Sequence, residues 1–264
     1  MKRHTLLIAL SFVYVMVSAQ QVTVVDENKA DIQQEGDFNT SHVIQTGSIN
    51  LMDISQVGDG NTHNAVQLGN GNKILAEIEG DNNAGVHMQV GEMNKLNLTQ
   101  SNDGHRALTY QYGSMNEIEL IQKDRYNNGS NKAVAIQVGS GNNLRVNQRL
   151  RNSLVFVTQV GEGNEGDIYQ YGTGDRVNNE VYLSQYGKSN EADIDQLKKD
   201  QTAIVTQVGE QNKVKTIQKN GENNYLTVFQ AGGRNEAIIE QQQNGNISGV
   251  VQVGNENNAL VKQL

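Results

Sequence analysis

From Asn28 onward, apolar and polar residues alternate in blocks of seven, and the blocks recur about every eleven residues. The chain aligns on N-x-φ-x-φ-x-Q-x-G-x-x, where φ is mostly Ala, Val, Ile or Leu. The first copy is Asn28, Ala30, Ile32, Gln34 and Gly36, and the next begins at Asn39. There are 21 copies, the last running from Asn257 to Gln263. Gln fills its slot in 20 of the 21, with Ile78 the exception, and Asn fills its slot in 18, the exceptions being His105, Ser153 and Gln201. Positions N, φ, φ and Q lie at even offsets, so they share one face of a strand. Seven residues predict a strand of about 23 Å. Gly then supplies a backbone conformation closed to other residues, and Asn tolerates left-handed geometry better than most. Each copy therefore predicts one strand followed by one corner.

Alternate copies differ, which makes the structural unit 22 residues. In one phase Gly follows Gln by two positions in every copy: Gly47, Gly69, Gly91, Gly113, Gly139, Gly161, Gly187, Gly209, Gly232 and Gly254. In the other phase that slot also holds Asn102, Asp124, Leu150, Lys198, Asn220 and Gln243. The expected fold is all-β: a flattened two-sheet parallel β-solenoid of about ten 22-residue coils, 21 strands of an 11-residue half-repeat. At one strand spacing per coil it would stand about 50 Å tall. Three spacings depart from eleven. Gln122 to Gln137 and Gln170 to Gln185 are 15 apart, and Gln218 to Gln230 is 12. The extra residues, near 123–130 and 171–178 in the two longer cases, fall in one phase of corner and predict loops along one edge.

A buried amide left unpaired costs about 1–3 kcal/mol. Identical amides one coil apart remove that cost by donating and accepting along the stack. The candidate ladder residues are Gln45, Asn50, Gln67, Asn72, Gln89, Asn94, Gln111, Asn116, Gln137 and Asn142 in the first half. Gln159, Asn164, Gln185, Asn190, Gln207, Asn212, Gln230, Asn235, Gln252 and Asn257 continue them. Such ladders would fix register, because a one-residue slip turns every φ residue outward.

The outward slots around each Gln differ between phases. In the Gly-complete phase none of 30 is charged; in the other, 16 of 33 are, among them Asp53, Glu77, Arg145, Asp193 and Lys215. The uncharged face includes Val66, Tyr110, Tyr112, Val138, Phe156, Val160, Tyr186, Val208, Phe229 and Val253. A long exposed apolar stripe marks an interaction surface, so this face is expected to support lateral pairing or adhesion to matrix or surface ligands.

Composition narrows the function further. The 264 residues contain 27 Gln, 34 Asn and no Pro, Cys or Trp. Without Cys there is no disulfide framework, thiolate metal site or cysteine nucleophile. The absence of Pro suits a chain whose backbone N–H groups all serve ladders. A formal charge of −8 argues against nucleic acid as a partner. Lys2 and Arg3 precede the mostly apolar run Leu6 to Val17, and Val17-Ser18-Ala19 supplies small residues. This reads as a secretory signal peptide over residues 1–19, with a short segment 20–27 ahead of the repeats of 28–264. Cleavage after Ala19 would take the charge to −10.

The Q-x-G-x-x-N spacing resembles that of the curlin family, the secreted subunits of bacterial curli amyloid fibres. The family pattern S-x5-Q-x-G-x-x-N-x-A-x3-Q is matched most closely by Gln185-Tyr186-Gly187-Lys188-Ser189-Asn190-Glu191-Ala192 with Gln196. Gln230-Ala231-Gly232-Gly233-Arg234-Asn235-Glu236-Ala237 with Gln241 matches as well. The leading Ser is mostly absent, there are about ten repeats rather than five, and no long Gly-rich stretch precedes the repeats. The resemblance implies a functional amyloid ordered on the cell surface. Its implied partners are further copies of itself, a nucleator and an outer-membrane secretion channel.

Bottom-up, the repeats leave no segment for a C-terminal cap, which predicts open head-to-tail assembly. Within the fibre reading, a major subunit is favoured over a minor nucleator by the uniform array. The other classes are an enzyme on a β-helix and a soluble adhesive solenoid. Acidic residues sit in outward or corner slots, and His42, His63, His87 and His105 are separated by repeat units, so no catalytic or metal site is expected, nor any cofactor. Strings such as Gly58-Asp59-Gly60-Asn61 read as corners, because no helix follows. Thr158, Thr206 and Thr227 are too sparse for an ice-binding array.

Overall fold

The computed structural model describes residues 27–124, 130–149, 151–172 and 178–264. The expected signal peptide, and residues 20–26 of the segment after it, lie outside the described residues. So do 125–129 and 173–177 of the expected loops. Among the described residues the chain forms 21 strands and no helix.

Eleven strands make one parallel sheet: β1 (Lys29–Glu35), β3 (Leu51–Val57), β5 (Lys73–Glu79), β7 (Lys95–Ser101), β9 (Glu117–Lys123) and β11 (Asn143–Arg149), continued by β13 (Glu165–Tyr171), β15 (Glu191–Gln196), β17 (Lys213–Gln218), β19 (Glu236–Gln241) and β21 (Asn258–Gln263). Ten make the other: β2 (Thr40–Ser48), β4 (Thr62–Asn70), β6 (Ala84–Glu92), β8 (Arg106–Ser114) and β10 (Lys132–Ser140), then β12 (Leu154–Glu162), β14 (Glu180–Lys188), β16 (Thr202–Glu210), β18 (Tyr225–Gly233) and β20 (Ile247–Val253). Odd strands pair only with odd and even with even, which is the topology of a two-sided solenoid.

Register follows the sequence repeat without slippage. Gln45 pairs with Gln67, and Gln67 with Gln89. Across the inserted residues Gln111 still meets Gln137 and Gln170 still meets Gln196. The additions are therefore absorbed at corners, as the spacing predicts. The interior is a thin double layer of φ residues, with Met52, Ile54, Leu96, Leu120, Leu183 and Ile239 fully buried. Alternation with period two is the cause, since each strand turns every second side chain inward.

The corners differ from expectation in one respect. Positive φ falls on the Gly slot and on the residue just before the ladder Asn, not on that Asn. Ile49, Met93, Met115, Gln211 and Arg234 occupy the second position with φ of 58, 54, 55, 56 and 56°. The ladder Asn is present for its amide rather than for its backbone.

Candidate functional site

The interior amides form four stacks, of which the Gln stack of the odd-numbered sheet is interrupted at Ile78. Gln67 Nε2 donates to Gln89 Oε1 at 2.9 Å and across the core to the Leu51 carbonyl at 3.1 Å. Gln89 repeats this with Gln111 Oε1 at 2.7 Å and the Lys73 carbonyl at 3.0 Å. Both protons of these two amides are thus used, one along the stack and one to the opposite sheet. Gln137, Gln159, Gln185, Gln207, Gln230 and Gln252 continue the series through accepted bonds of 2.8 to 3.0 Å.

Asparagine runs with the opposite polarity. Asn72 donates both its backbone N–H (3.0 Å) and its Nδ2 (3.1 Å) to Asn50 Oδ1, while Nδ2 also reaches the Gly91 carbonyl at 2.8 Å. The same contacts join Asn94, Asn116, Asn142, Asn164, Asn190, Asn212, Asn235 and Asn257. Each Asn ties its own strand start to the corner of the following coil, so strand and corner order together.

The corner glycines are needed for space as well as dihedral angle. A Cβ on Gly69, at φ 116°, would lie 2.1 Å from the Gly91 carbonyl oxygen. The same geometry recurs from Gly47 through Gly113, Gly139, Gly161, Gly187 and Gly209 to Gly232, each facing the next glycine carbonyl. Gly254 ends the row, with only Asn257 Nδ2 near its Cβ position.

Two of the three exceptions in the Asn slot use their side chains in place of the amide, whereas the Ser153 hydroxyl is buried without a hydrogen-bond partner. His105 donates its backbone N–H to Asn83 Oδ1 at 2.8 Å, and its Nδ1 receives the Asn131 N–H at 3.2 Å. Its Nε2–H donates to the Ser101 carbonyl at 2.9 Å, which fixes the tautomer. Burial lowers its pKa, keeping the ring in the neutral form this arrangement needs. Gln201 stands in similarly, donating its N–H to Asn179 Oδ1 and its Nε2 to the Gly221 carbonyl.

The two outer faces differ as the outward slots predict. On the even-numbered sheet one row runs Leu68, Val90, Tyr112, Val138, Val160, Tyr186 and Val208 in register. Tyr112, Phe156, Tyr186, Val208, Phe229 and Val253 are exposed. Val66, Tyr110, Val138 and Val160 are half-buried between their row neighbours. The other face carries cross-strand ion pairs such as Lys215–Asp193 at 2.7 Å and Arg145–Glu119 at 2.9 Å. Asp124 departs from the solvated-corner expectation: its side chain is buried and pairs with Arg151 at 3.4 Å.

The histidines correct a second expectation. His63 and His87 are not isolated by the repeat but stacked inside it, with ring centroids 5.7 Å apart. Side chains two residues apart in phase on adjacent coils become neighbours when the residue between them, Gly85, has no side chain. The visible signals were Ile78, the lone gap in the Gln slot, and Gly85, a glycine in an interior slot. Exposed apolar corner residues, Phe38, Ile49, Met93 and Met115, were also missed. Among the described residues no group of three His, Cys, Asp or Glu side chains could hold a metal ion.

Residues 26–58 match the family model described as the curlin associated repeat. No curated protein matches the chain. The matched segment holds β1, β2 and β3, the first three strands of a pattern that keeps one register to β21. Over that segment the chain is similar to curlin associated repeats, and the register that begins there continues to β21.

Proposed function

We propose that the protein is a structural subunit of an extracellular, curli-like amyloid fibre, growing by head-to-tail stacking of its solenoid. The observation that carries this reading is the state of the two terminal strands. Ala237 and Ile239 in β19 are fully buried, whereas their partners Ala259 and Val261 in β21 are only partly covered. At the opposite end Ala30 is exposed and Ile32 half-buried, beside fully buried Met52 and Ile54. Among the described residues the Gln ladders begin at Gln34 and Gln45 and end at Gln252 and Gln263. Every link between donates Nε2 toward the C-terminal neighbour. One end thus offers Oε1 acceptors and the other amide donors, which supports polar stacking with the ladders continued from copy to copy.

The uncharged face supports lateral bundling of such stacks. Five residues on each of ten strands give a surface on the order of 800 Å², the size that one partner contributes to a standard interface. Secretion, cell-surface adhesion and a role in biofilm matrix, with a nucleator and an outer-membrane channel as partners, follow from the family reading.

The test is assembly of residues 20–264 diluted from denaturant, followed by fibre diffraction. Fibres with a reflection near 4.7–4.8 Å along the axis are expected. A chain that stays monomeric for days would overturn the reading.

A further inference from the structure

Ile78 interrupts the Gln ladder of the odd-numbered sheet between Gln56 and Gln100. Gln100 commits Nε2 to Gln122 Oε1 at 2.8 Å, so only its Oε1 faces the gap, and that atom is buried without a hydrogen-bond partner. The other sheet brings two imidazoles to the same coils. His87 Nδ1 lies 2.9 Å from Thr109 Oγ1, and His87 Nε2 lies 3.4 Å from His63 Nδ1. His63 Nε2 is the second buried atom here without a completed bond, and His63 interacts with Gln100. Gly85 makes the arrangement possible, because a Cβ there would lie 2.4 Å from both His63 Nδ1 and His87 Nε2.

Proton positions in this chain have one consistent solution. Gln100 offers an acceptor, so His63 Nε2 carries a proton, and its Nδ1 then accepts from His87 Nε2–H. His87 Nδ1 in turn accepts from the Thr109 hydroxyl. The reverse direction would need Gln100 to present its amide nitrogen to the gap, and that nitrogen is bonded to Gln122 Oε1. We propose that Thr109, His87, His63 and Gln100 form a hydrogen-bonded relay that replaces the amide missing at Ile78 and locks coils β4 to β8 only while both imidazoles are neutral. A proton added to His63 Nδ1 meets the His87 Nε2–H, one added to His87 Nδ1 reverses the Thr109 bond, and either places a charge in a core that holds no counter-charge. No carboxylate, lysine or arginine occupies an interior position from β2 to β9. The remaining interior imidazole, His105, is held at its corner by Asn131 and Ser101, near Asp103 and Asp124.

Burial lowers the pKa of His63 to about 4 and of His87 to about 3, the latter also through the charge of His63. Folded values below the ordinary 6.5 mean that the lock is fully present above pH 6.5 and weakens as pH falls toward 4. Unfolding then takes up two protons that the fold excludes, so the opening equilibrium rises by up to about 100-fold per pH unit.

Native-state hydrogen exchange of residues 62–101 in the 20–264 protein tests this against His63→Ala. Between pH 6 and 5 the ratio of opening constants, natural over variant, should rise by up to about tenfold, because one of the two protons has been removed. Ile78→Gln should restore the ladder and make His63→Ala much less damaging than it is alone. A ratio independent of pH, or a His63→Ala penalty unchanged by Ile78→Gln, would overturn the relay. Where His63→Ala does not fold, ¹⁵N spectra of the imidazoles in the natural chain decide. Neutral rings, both protonated on Nε2 at pH 5, support it; imidazolium at pH 5 or the other tautomer rejects it.

Discussion

His105 Nδ1 accepts the backbone N–H of Asn131 at 3.2 Å, the contact that an asparagine Oδ1 makes at other rungs of the same stack. A ring nitrogen thus performs the work of a side-chain carbonyl. Replacing His105 with Asn should leave stability within about 1 kcal/mol, because the acceptor is restored. Replacing it with Leu leaves the Asn131 N–H buried and unpaired, and should cost about 1–3 kcal/mol. Urea unfolding midpoints of the three chains separate these outcomes. Equal midpoints for Asn and Leu would show that the bond contributes nothing.

Glycines of two kinds occur at the corners, and they should respond differently. Gly91 has φ 117°, and a Cβ there would sit 2.0 Å from the Gly113 carbonyl oxygen. Gly91→Ala combines a backbone clash with a forbidden dihedral, so a loss of about 3–5 kcal/mol is expected. Gly141 has φ 63° and nothing within 4 Å of its Cβ position. Met93 and Met115 already adopt that conformation in the equivalent slot. Gly141→Asn should therefore change stability by less than about 1 kcal/mol. Thermal unfolding of the two variants measures the contrast directly.

The uncharged face makes a prediction about bundling rather than folding. Val138, Val160 and Val208 lie in one outer row, and their side chains leave the core untouched. Substituting all three with Lys should preserve the solenoid and single filaments while reducing lateral association. Electron microscopy and sedimentation at low and high salt provide the readout. Screening by salt should partly restore bundles, since like charges repel over about a Debye length. Bundles as thick as those of the unaltered chain would mean that this face is not the contact.

The fold was legible because its information is local and repeated: one Gln, one Asn and one Gly slot per half-coil determine strand, corner and register together. Even the insertions near 123–130 and 171–178 could be placed, since they add length only between ladders. What the repeat hid was the exceptions. His63 and His87 differ in phase by one interior position, so a linear reading separates them. Only the missing side chain of Gly85 and the missing amide at Ile78 bring them together. His105 likewise looks like a defect until its Nδ1 is seen in the place of an Oδ1. The apolar corner residues Ile49 and Met93 escaped because a positive φ was expected at Gly and Asn.

On the charged face, Asp195 has Tyr169 and Ile217 as its cross-strand partners, while its neighbour Asp193 pairs with Lys215 at 2.7 Å. Half-burial raises the Asp195 pKa, and the nearby Asp193 charge adds to this more than Lys215 offsets. A raised folded pKa favours the protonated fold. The group's contribution is therefore present below the unfolded carboxylate value and lost as pH rises through the folded one. At neutral pH Asp195 is ionised beside a second carboxylate, and Asp195→Asn removes that repulsion. The unfolding midpoint at pH 7 should rise by about 1–2 °C, a modest shift because solvent still screens the site. The gain should disappear near pH 3, where both chains carry a neutral group. Asp193→Asn relieves the same repulsion but also breaks the ion pair with Lys215, so its midpoint at pH 7 should rise less than that of Asp195→Asn. Parallel melting curves of the two variants distinguish a site-specific effect from a general loss of negative charge.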